Sequence, residues 1–312
     1  MTAFAFVFPG QGSQSVGMLD AWGDHPAVAA TLAEASAALG EDVAALIHDG
    51  PKERLDLTTH TQPVMLAAGV ACYRAWIAET ALAPALVAGH SLGEYSALVA
   101  AGALSLADAL PLVRFRAQAM QEAVPVGAGA MAAILGMDAP AVLAGCAEVA
   151  AATSEVVEAV NFNDPKQTVI AGTRSGVEQA CAALKASGAK RALQLPVSAP
   201  FHSSLMKPAA ERLKERLAAT PIAAPAIPVL NNVDVHSESD PARIRDALYR
   251  QAFRPVRWVE LVQAMRGRGL QTIIECGPGK VLAGMVRRID ADAVTGALFD
   301  PESLAEARAL VS

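Results

Sequence analysis

The sequence predicts an α/β protein in which a parallel sheet flanked by helices is interrupted by a smaller ferredoxin-like unit. Three observations carry that expectation. Strand-like and helix-like segments alternate over residues 1–125. Between residues 126 and 198 the order becomes strand, helix, strand, strand, helix, strand, which is the ferredoxin-like pattern. The simple alternation then resumes over residues 199–312, so the middle segment reads as an insertion that leaves a discontinuous core of 1–125 and 199–312.

The elements follow in order. AFAFVFP at 3–9 has phenylalanine at every second position and reads as a first strand. No basic region precedes it and a Pro-Gly turn follows at once, which argues against a signal peptide. After the loop GQGSQ at 10–14, helices are expected at 26–38, with Pro26 in the first turn, and at 42–48. Residues 61–79 open with Thr61 as a cap and continue as a long apolar helix. It feeds a buried strand at 85–88, a helix starting in 92–101, and a second helix from Ser105 to Gln121. In the insertion, AGAMAAILG, EVVEAVNFN, QTVIAGT and AKRALQLP read as strands, and APAVLAGCAEVAA and GVEQACAALKASG as helices. The return comprises a helix at 205–218, the strand IPVLNN at 227–232, helices at 240–250 and 255–267, the strand TIIECG at 272–277 and a helix from Lys280. GPGK at 277–280 lacks the GxxxxGK[ST] spacing of a phosphate-binding loop and reads as a strand-to-helix turn.

Composition narrows the function classes. The 312 residues are 53% hydrophobic and 18% charged, with a net charge of −6, so the chain as a whole does not attract nucleic acid or anionic membrane. Apolar stretches near 63–72 and 97–107 are broken before they could span a bilayer. Cys72, Cys146, Cys181 and Cys276 lie far apart without CxxC or metal-finger spacing, which suits buried free thiols in a reducing compartment. No pair of carboxylates or histidines has metal-ligand spacing. A cytoplasmic, monomeric protein without bound metal or prosthetic group is expected.

The chemistry centres on AGHSLGEYSAL at 88–98, where Ser91 falls at a strand–helix junction in a G-x-S-x-G pattern. Small residues at Gly89 and Gly93 permit a tight elbow, and backbone N–H groups at a helix start can stabilise an oxyanion. A lone G-x-S-x-G is equally compatible with a structural turn. A serine nucleophile also needs a base. His25 and His48 precede or end surface helices, His60 sits before the expected Thr cap, and His236 lies in an acidic loop. Strand alternation turns His90 away from Ser91, as a satisfied polar residue beneath the turn. His202 in PVSAPFHSSLM remains, either as a backbone-bonded histidine at a helix start or as a base brought over the elbow from a distant segment. No third acid stands out: Asp108, Asp138 and Asp164 each have a capping or turn role. A Ser–His dyad with its second ring nitrogen held by a carbonyl is physically adequate. Arg116 in LVRFRAQAM reads either as a solvated helix arginine or as a cation for an anionic substrate, with Arg114 facing elsewhere.

The signatures FVFPGQGSQ at 6–14, TQPV at 61–64, GHSLGEYSAL at 89–98, RFRAQAM at 114–120, NFN at 161–163, FHS at 201–203, NNVDV at 231–235 and ECGPGKVL at 275–282 resemble, in content and order, the malonyl-CoA:acyl carrier protein transacylases, the free-standing acyltransferases of type II fatty acid synthesis. The resemblance implies an α/β-hydrolase-like core with the ferredoxin-like insertion. It also implies Ser91 as nucleophile, His202 as base, the main-chain carbonyl of Gln251 as its orienter, and the N–H groups of Gln11 and Leu92 as oxyanion hole. Arg116 would grip the malonyl carboxylate, Phe201 would set the pocket for an unbranched acyl group, and Gln62 and Asn161 would lie near the cleft. The implied substrates are malonyl-CoA and an acidic holo acyl carrier protein bearing phosphopantetheine. Lys190, Arg191, Lys207, Arg287 and Arg288 are candidates for a basic rim, or ordinary solvated charges. Polyketide supply, a serine thioesterase or esterase, and a catalytically idle carrier-protein docking module are the competing readings.

Overall fold

The computed structural model describes residues 2–197 and 199–312. The first strand, β1 (Phe4–Phe8), is buried along its whole length, and its alternation divides the core. Phe4, Phe6 and Phe8 enter one apolar cluster, whereas Ala5 and Val7 enter a second with Trp258, Leu261 and Met265. Helices α1 (Pro26–Leu39), α2 (Val43–Asp49) and the short α3 (Lys52–Leu55) lead to α4 (Thr58–Thr80). The last begins three residues before the expected Thr61 cap. Instead of capping, Thr61 is buried and its hydroxyl donates back to the carbonyls of Leu55 and Leu57 at 2.6 and 3.1 Å.

After β2 (Leu86–Gly89) come α5 (Gly93–Ala100) and α6 (Leu106–Glu122), the latter capped by Ser105. The insertion contains β3 (Gly129–Leu135), α7 (Ala139–Thr153), β4 (Val157–Asp164), β5 (Gln167–Thr173), α8 (Arg174–Ala186) and β6 (Arg191–Gln194). Its strands pair antiparallel in the order β4-β5-β3-β6, the ferredoxin-like arrangement the sequence predicts. Residue 198, taken as the far end of the insertion, lies outside the described residues. The main chain of Val256 binds both Val160 and Phe162 of β4, at 2.9 and 3.0 Å, and ties the insertion to the core.

The return differs from expectation at several points. The helix expected at 205–218 is a 3-10 turn followed by α9 (Lys207–Ala219). The expected strand at 227–232 shrinks to β7 (Val229–Leu230), because Asn231 and Asn232 leave the ladder for a turn. Then come α10 (Pro241–Gln251), α11 (Trp258–Gly267), β8 (Thr272–Cys276) and α12 (Val281–Ile289). A further strand, β9 (Val294–Leu298), and helix α13 (Pro301–Val311) were not expected. The strand is a mostly half-exposed edge with a glycine at its centre, so its pattern lacks the apolar alternation that marks the others.

The core sheet runs β7-β2-β1-β8-β9 and is parallel throughout. Pairing of Phe8 with Gly89 brings the carboxyl ends of β1 and β2 side by side. In open α/β sheets that edge is where ligands bind. Among the described residues no helix is long and apolar enough to cross a membrane. The four cysteines are free; Cys72, Cys146 and Cys276 are buried, whereas Cys181 is only half-buried.

Candidate active site

The turn between β2 and α5 is set by two glycines. A Cβ on Gly89 would lie 1.9 Å from the carbonyl carbon of Gly93, and one on Gly93 would lie 2.0 Å from the carbonyl oxygen of Phe8. Ser91 between them takes φ of 53°, in the left-handed region that non-glycine residues rarely occupy. His202 is held at φ 65° in the loop before α9. Both are strained positions at the same cleft.

The two side chains meet. Ser91 Oγ lies 2.7 Å from Nε2 of His202, and Nδ1 of His202 lies 2.8 Å from the main-chain carbonyl oxygen of Gln251. A carbonyl only accepts, so Nδ1 carries the proton and Nε2 presents its lone pair to the serine hydroxyl. Burial and the charge of Arg116 push the imidazole down to about 3, which keeps it neutral at ordinary pH. None of the three acids weighed from the sequence bonds this histidine. Asp108 interacts with Ser105, Asp138 pairs with Lys166, and Asp164 accepts from Arg288 and the Lys166 N–H. His90 turns away as expected, 2.8 Å from Oδ1 of Asn163.

Arg116 is 1% exposed, which removes the solvated reading. Nη1 donates to Oε1 of Gln62 at 2.7 Å, and Nη2 donates to Ser91 Oγ at 3.2 Å and to Oε1 of Gln251 at 3.0 Å. Its guanidinium carbon lies 5.5 Å from the centre of the Tyr95 ring. Among the described residues it has no ion pair, and its Nε has no hydrogen-bond partner. A buried cation held by neutral oxygens is prepared for an anion that arrives with a ligand. Arg114, two residues earlier, faces outward and pairs with Glu41.

Around the pair lies a cavity of about 190 Å³. Gln11, Gln62, Ser91, Leu92, Arg116, Asn161, Phe201 and His202 all border it, so the structure gathers eight of the nine predicted site residues around one cavity. Gln251, the ninth, stands behind them, fully buried. Three of the five predicted rim cations lie in different places. Lys207 borders a separate groove of about 500 Å³ that touches His202, Arg288 is tied to Asp164, and Arg287 lies on a third groove with Lys280.

Two functional neighbours went unrecognised in the sequence. Asn232 clamps the elbow: its Oδ1 accepts from the Ser91 N–H at 2.8 Å and its Nδ2 donates to the Gly89 carbonyl at 2.7 Å. Glu94, 2% exposed, accepts at Oε2 from the Asn232 N–H and from Nε2 of Gln251, each at 2.9 Å. Burial holds its carboxyl up at about 7. A signal for Glu94 was present, since it is the only charged residue in the apolar run 92–101. Among the described residues no cluster of His, Cys, Asp or Glu could hold a metal ion.

Over nearly its whole length the chain is similar to known proteins. The family described as the acyl transferase domain matches residues 5–295. The malonyl CoA-acyl carrier protein transacylase of Escherichia coli K12 is 54% identical, over 98% of this chain and 99% of its own. A crystal structure of an acyl-carrier-protein S-malonyltransferase from Burkholderia pseudomallei superposes with a TM-score of 0.96 at 63% identity, covering 98% of this chain and 99% of that one. A malonyl transacylase solved with a type II polyketide acyl carrier protein also reaches 0.96, at 49% identity and the same coverage.

Proposed function

The chain belongs to the acyl transferase family and, within it, to the malonyl-CoA:acyl carrier protein transacylases, and from that premise we propose which residues carry the transfer. The enzyme moves a malonyl group from coenzyme A to the thiol of holo acyl carrier protein in two half-reactions through a serine ester. In the first, the Ser91 hydroxyl gives its proton to Nε2 of His202 and attacks the thioester carbonyl. The N–H groups of Gln11 and Leu92 receive the oxyanion. The carbon–sulfur bond then breaks, and the proton on Nε2 passes to the departing coenzyme A sulfur. In the second, the phosphopantetheine thiol gives its proton to the same nitrogen and attacks the ester, and Ser91 leaves with its proton restored. Arg116 pairs with the malonyl carboxylate, and Phe201 limits branching beside it.

The observation that carries these roles is the 2.7 Å Ser91–His202 contact, with the carbonyl of Gln251 in the place a third acid would take. Among the described residues Arg116 has no anion of its own beside that pair, which supports its role toward a dicarboxylic acyl group. Incubation with malonyl-CoA should add one malonyl group at Ser91, seen by intact-protein mass spectrometry, and Ser91→Ala should take up none. Steady release of coenzyme A should require holo carrier protein. Label on another residue would refute the assignment, and release without carrier protein would indicate a thioesterase.

We read the pathway as fatty acid synthesis; the polyketide-associated relative is the specific observation that favours the second reading. The site is complete within one chain, which supports a monomer. Net charge −6 gives no field for nucleic acid, and four free thiols suit the cytoplasm.

A further inference from the structure

Gln251 does more than present a carbonyl to the histidine. Its side-chain amide bridges two charged groups that never touch. On one side Nε2 donates to Glu94 Oε2 and to the Ser91 carbonyl, each at 2.9 Å. A carboxylate and a carbonyl only accept, so the amide must turn its oxygen the other way. That oxygen receives Nη2 of Arg116 at 3.0 Å. Arg116 needs such a partner: Tyr95 turns its ring face to it, its Nε is unpartnered among the described residues, and Gln62 engages only Nη1. The direction of Nη2, which also reaches Ser91 Oγ, therefore depends on the Gln251 amide.

We propose that Glu94 is a positioning residue for Arg116: its carboxylate fixes and polarises the Gln251 amide, whose oxygen holds Nη2 beside Ser91 at the acyl cleft. A chain of carboxylate, amide and guanidinium is stronger than its separate links, because each bond polarises the next. Charge at Glu94 matters for the same reason, as a carboxylate acceptor is roughly twice as strong as an amide oxygen. The same oxygen binds the Asn232 N–H, so one buried carboxylate steadies both the elbow clamp and the cation. Glu94 does not border the acyl cleft, so it reaches the site only through these contacts.

This role rests on the assignment of Arg116 to the malonyl carboxylate, and the experiment separates the two. Kinetic constants for malonyl-CoA and acetyl-CoA are measured at about pH 8.5, where the Glu94 carboxyl is ionised, with holo carrier protein as acceptor, for the wild type, Arg116→Ala, Glu94→Gln and Gln251→Met. Gln251→Met preserves the main-chain carbonyl and the side-chain length while deleting the amide. Glu94→Gln should lower the malonyl-to-acetyl ratio of kcat/KM about tenfold, mainly through KM for malonyl-CoA. Gln251→Met should lower it at least as far, and the double variant no further than Gln251→Met alone. A ratio unchanged or raised by Glu94→Gln overturns the proposal, since a brace of the fold would slow both substrates alike and a remote negative charge would weaken malonyl binding. Should Glu94→Gln not fold, a ratio unchanged in Gln251→Met overturns it. If Arg116→Ala itself preserves the ratio, the assignment of Arg116 fails instead.

Discussion

Replacing Arg116 with alanine gives the sharpest test of substrate choice. The guanidinium is 1% exposed and held by three neutral oxygens, with no anion paired to it among the described residues. A malonyl carboxylate entering the cleft gains two charge-assisted bonds, each about 1.5–3 kcal/mol. The carboxylate must shed water to do so, so the lower end applies, about 3 kcal/mol in total. At about 1.4 kcal/mol per tenfold, that is a factor of ~10² carried by malonyl alone. Both acyl groups also lose the 3.2 Å bond from Nη2 to Ser91 Oγ, worth about 1 kcal/mol or up to tenfold. Arg116→Ala should therefore reduce kcat/KM for malonyl-CoA by about 10³ and for acetyl-CoA by about 10, so that their ratio falls by about 10².

The assay is transfer to holo carrier protein with each thioester, alongside a thermal melt to show that the variant is folded. Arg116→Lys should fall between, because an ammonium gives a point charge without the planar fork. An equal loss for both acyl groups would refute the reasoning, since the guanidinium would then be positioning the serine and nothing else.

Two further outcomes follow from the same geometry. In the Glu94→Gln variant, where the carboxyl that titrates at about 7 beside the site is gone, inactivation of Ser91 by a neutral sulfonyl fluoride should keep a level rate from pH 8 to about 5, because His202 is held down at about 3; a bend near the ordinary 6.5 would contradict its burial. In stability the sign is set by the unfolded chain, which takes up the His202 proton below 6.5 while the fold refuses it until about 3, so the native state loses stability as pH falls through that window. Glu94 and Glu275, held up at about 7 by burial, act oppositely, and their contribution declines as pH rises from 4.5 towards 7; urea midpoints of the wild type and His202→Asn across pH 4–8 isolate the histidine's share. Gly89→Ala should fail to give soluble, folded protein, because its methyl would sit 1.9 Å from backbone that no rotamer can move; normal expression with a native melt would show that the elbow is looser than its geometry.

Much of this architecture was legible because local pattern and global fold agree. The phenylalanine alternation of β1 is the division of the core into two apolar clusters, and the six-element pattern of the insertion is its antiparallel sheet. Ser91 could be picked out because the elbow imposes glycines on both sides. The failures have equally local causes. Thr61 had the chemistry of a cap, yet burial against the 55–57 turn gave its hydroxyl other acceptors. The edge strand β9 buries too little to show alternation. Glu94 and Asn232 escaped because their work is done through main-chain and amide groups, at sequence separations of 138 to 157 residues, and no spacing rule reports on such contacts.

Asn232 shows how the strain at the elbow is tolerated. Ser91 at φ 53° would relax if its neighbours allowed it. The Asn232 amide holds the turn from both ends, accepting from the part-buried Ser91 N–H and donating to the buried Gly89 carbonyl. The asparagine can do so only because β7 stops after Leu230 and its next residues leave the ladder. The shortened strand that departs from the sequence expectation is therefore the feature that frees a side chain to brace the nucleophile. From there the Asn232 N–H connects to Glu94, Glu94 to the Gln251 amide, and Gln251 to both His202 and Arg116. The proton acceptor, the cation and the strained serine are thus fixed relative to one another by a single buried network.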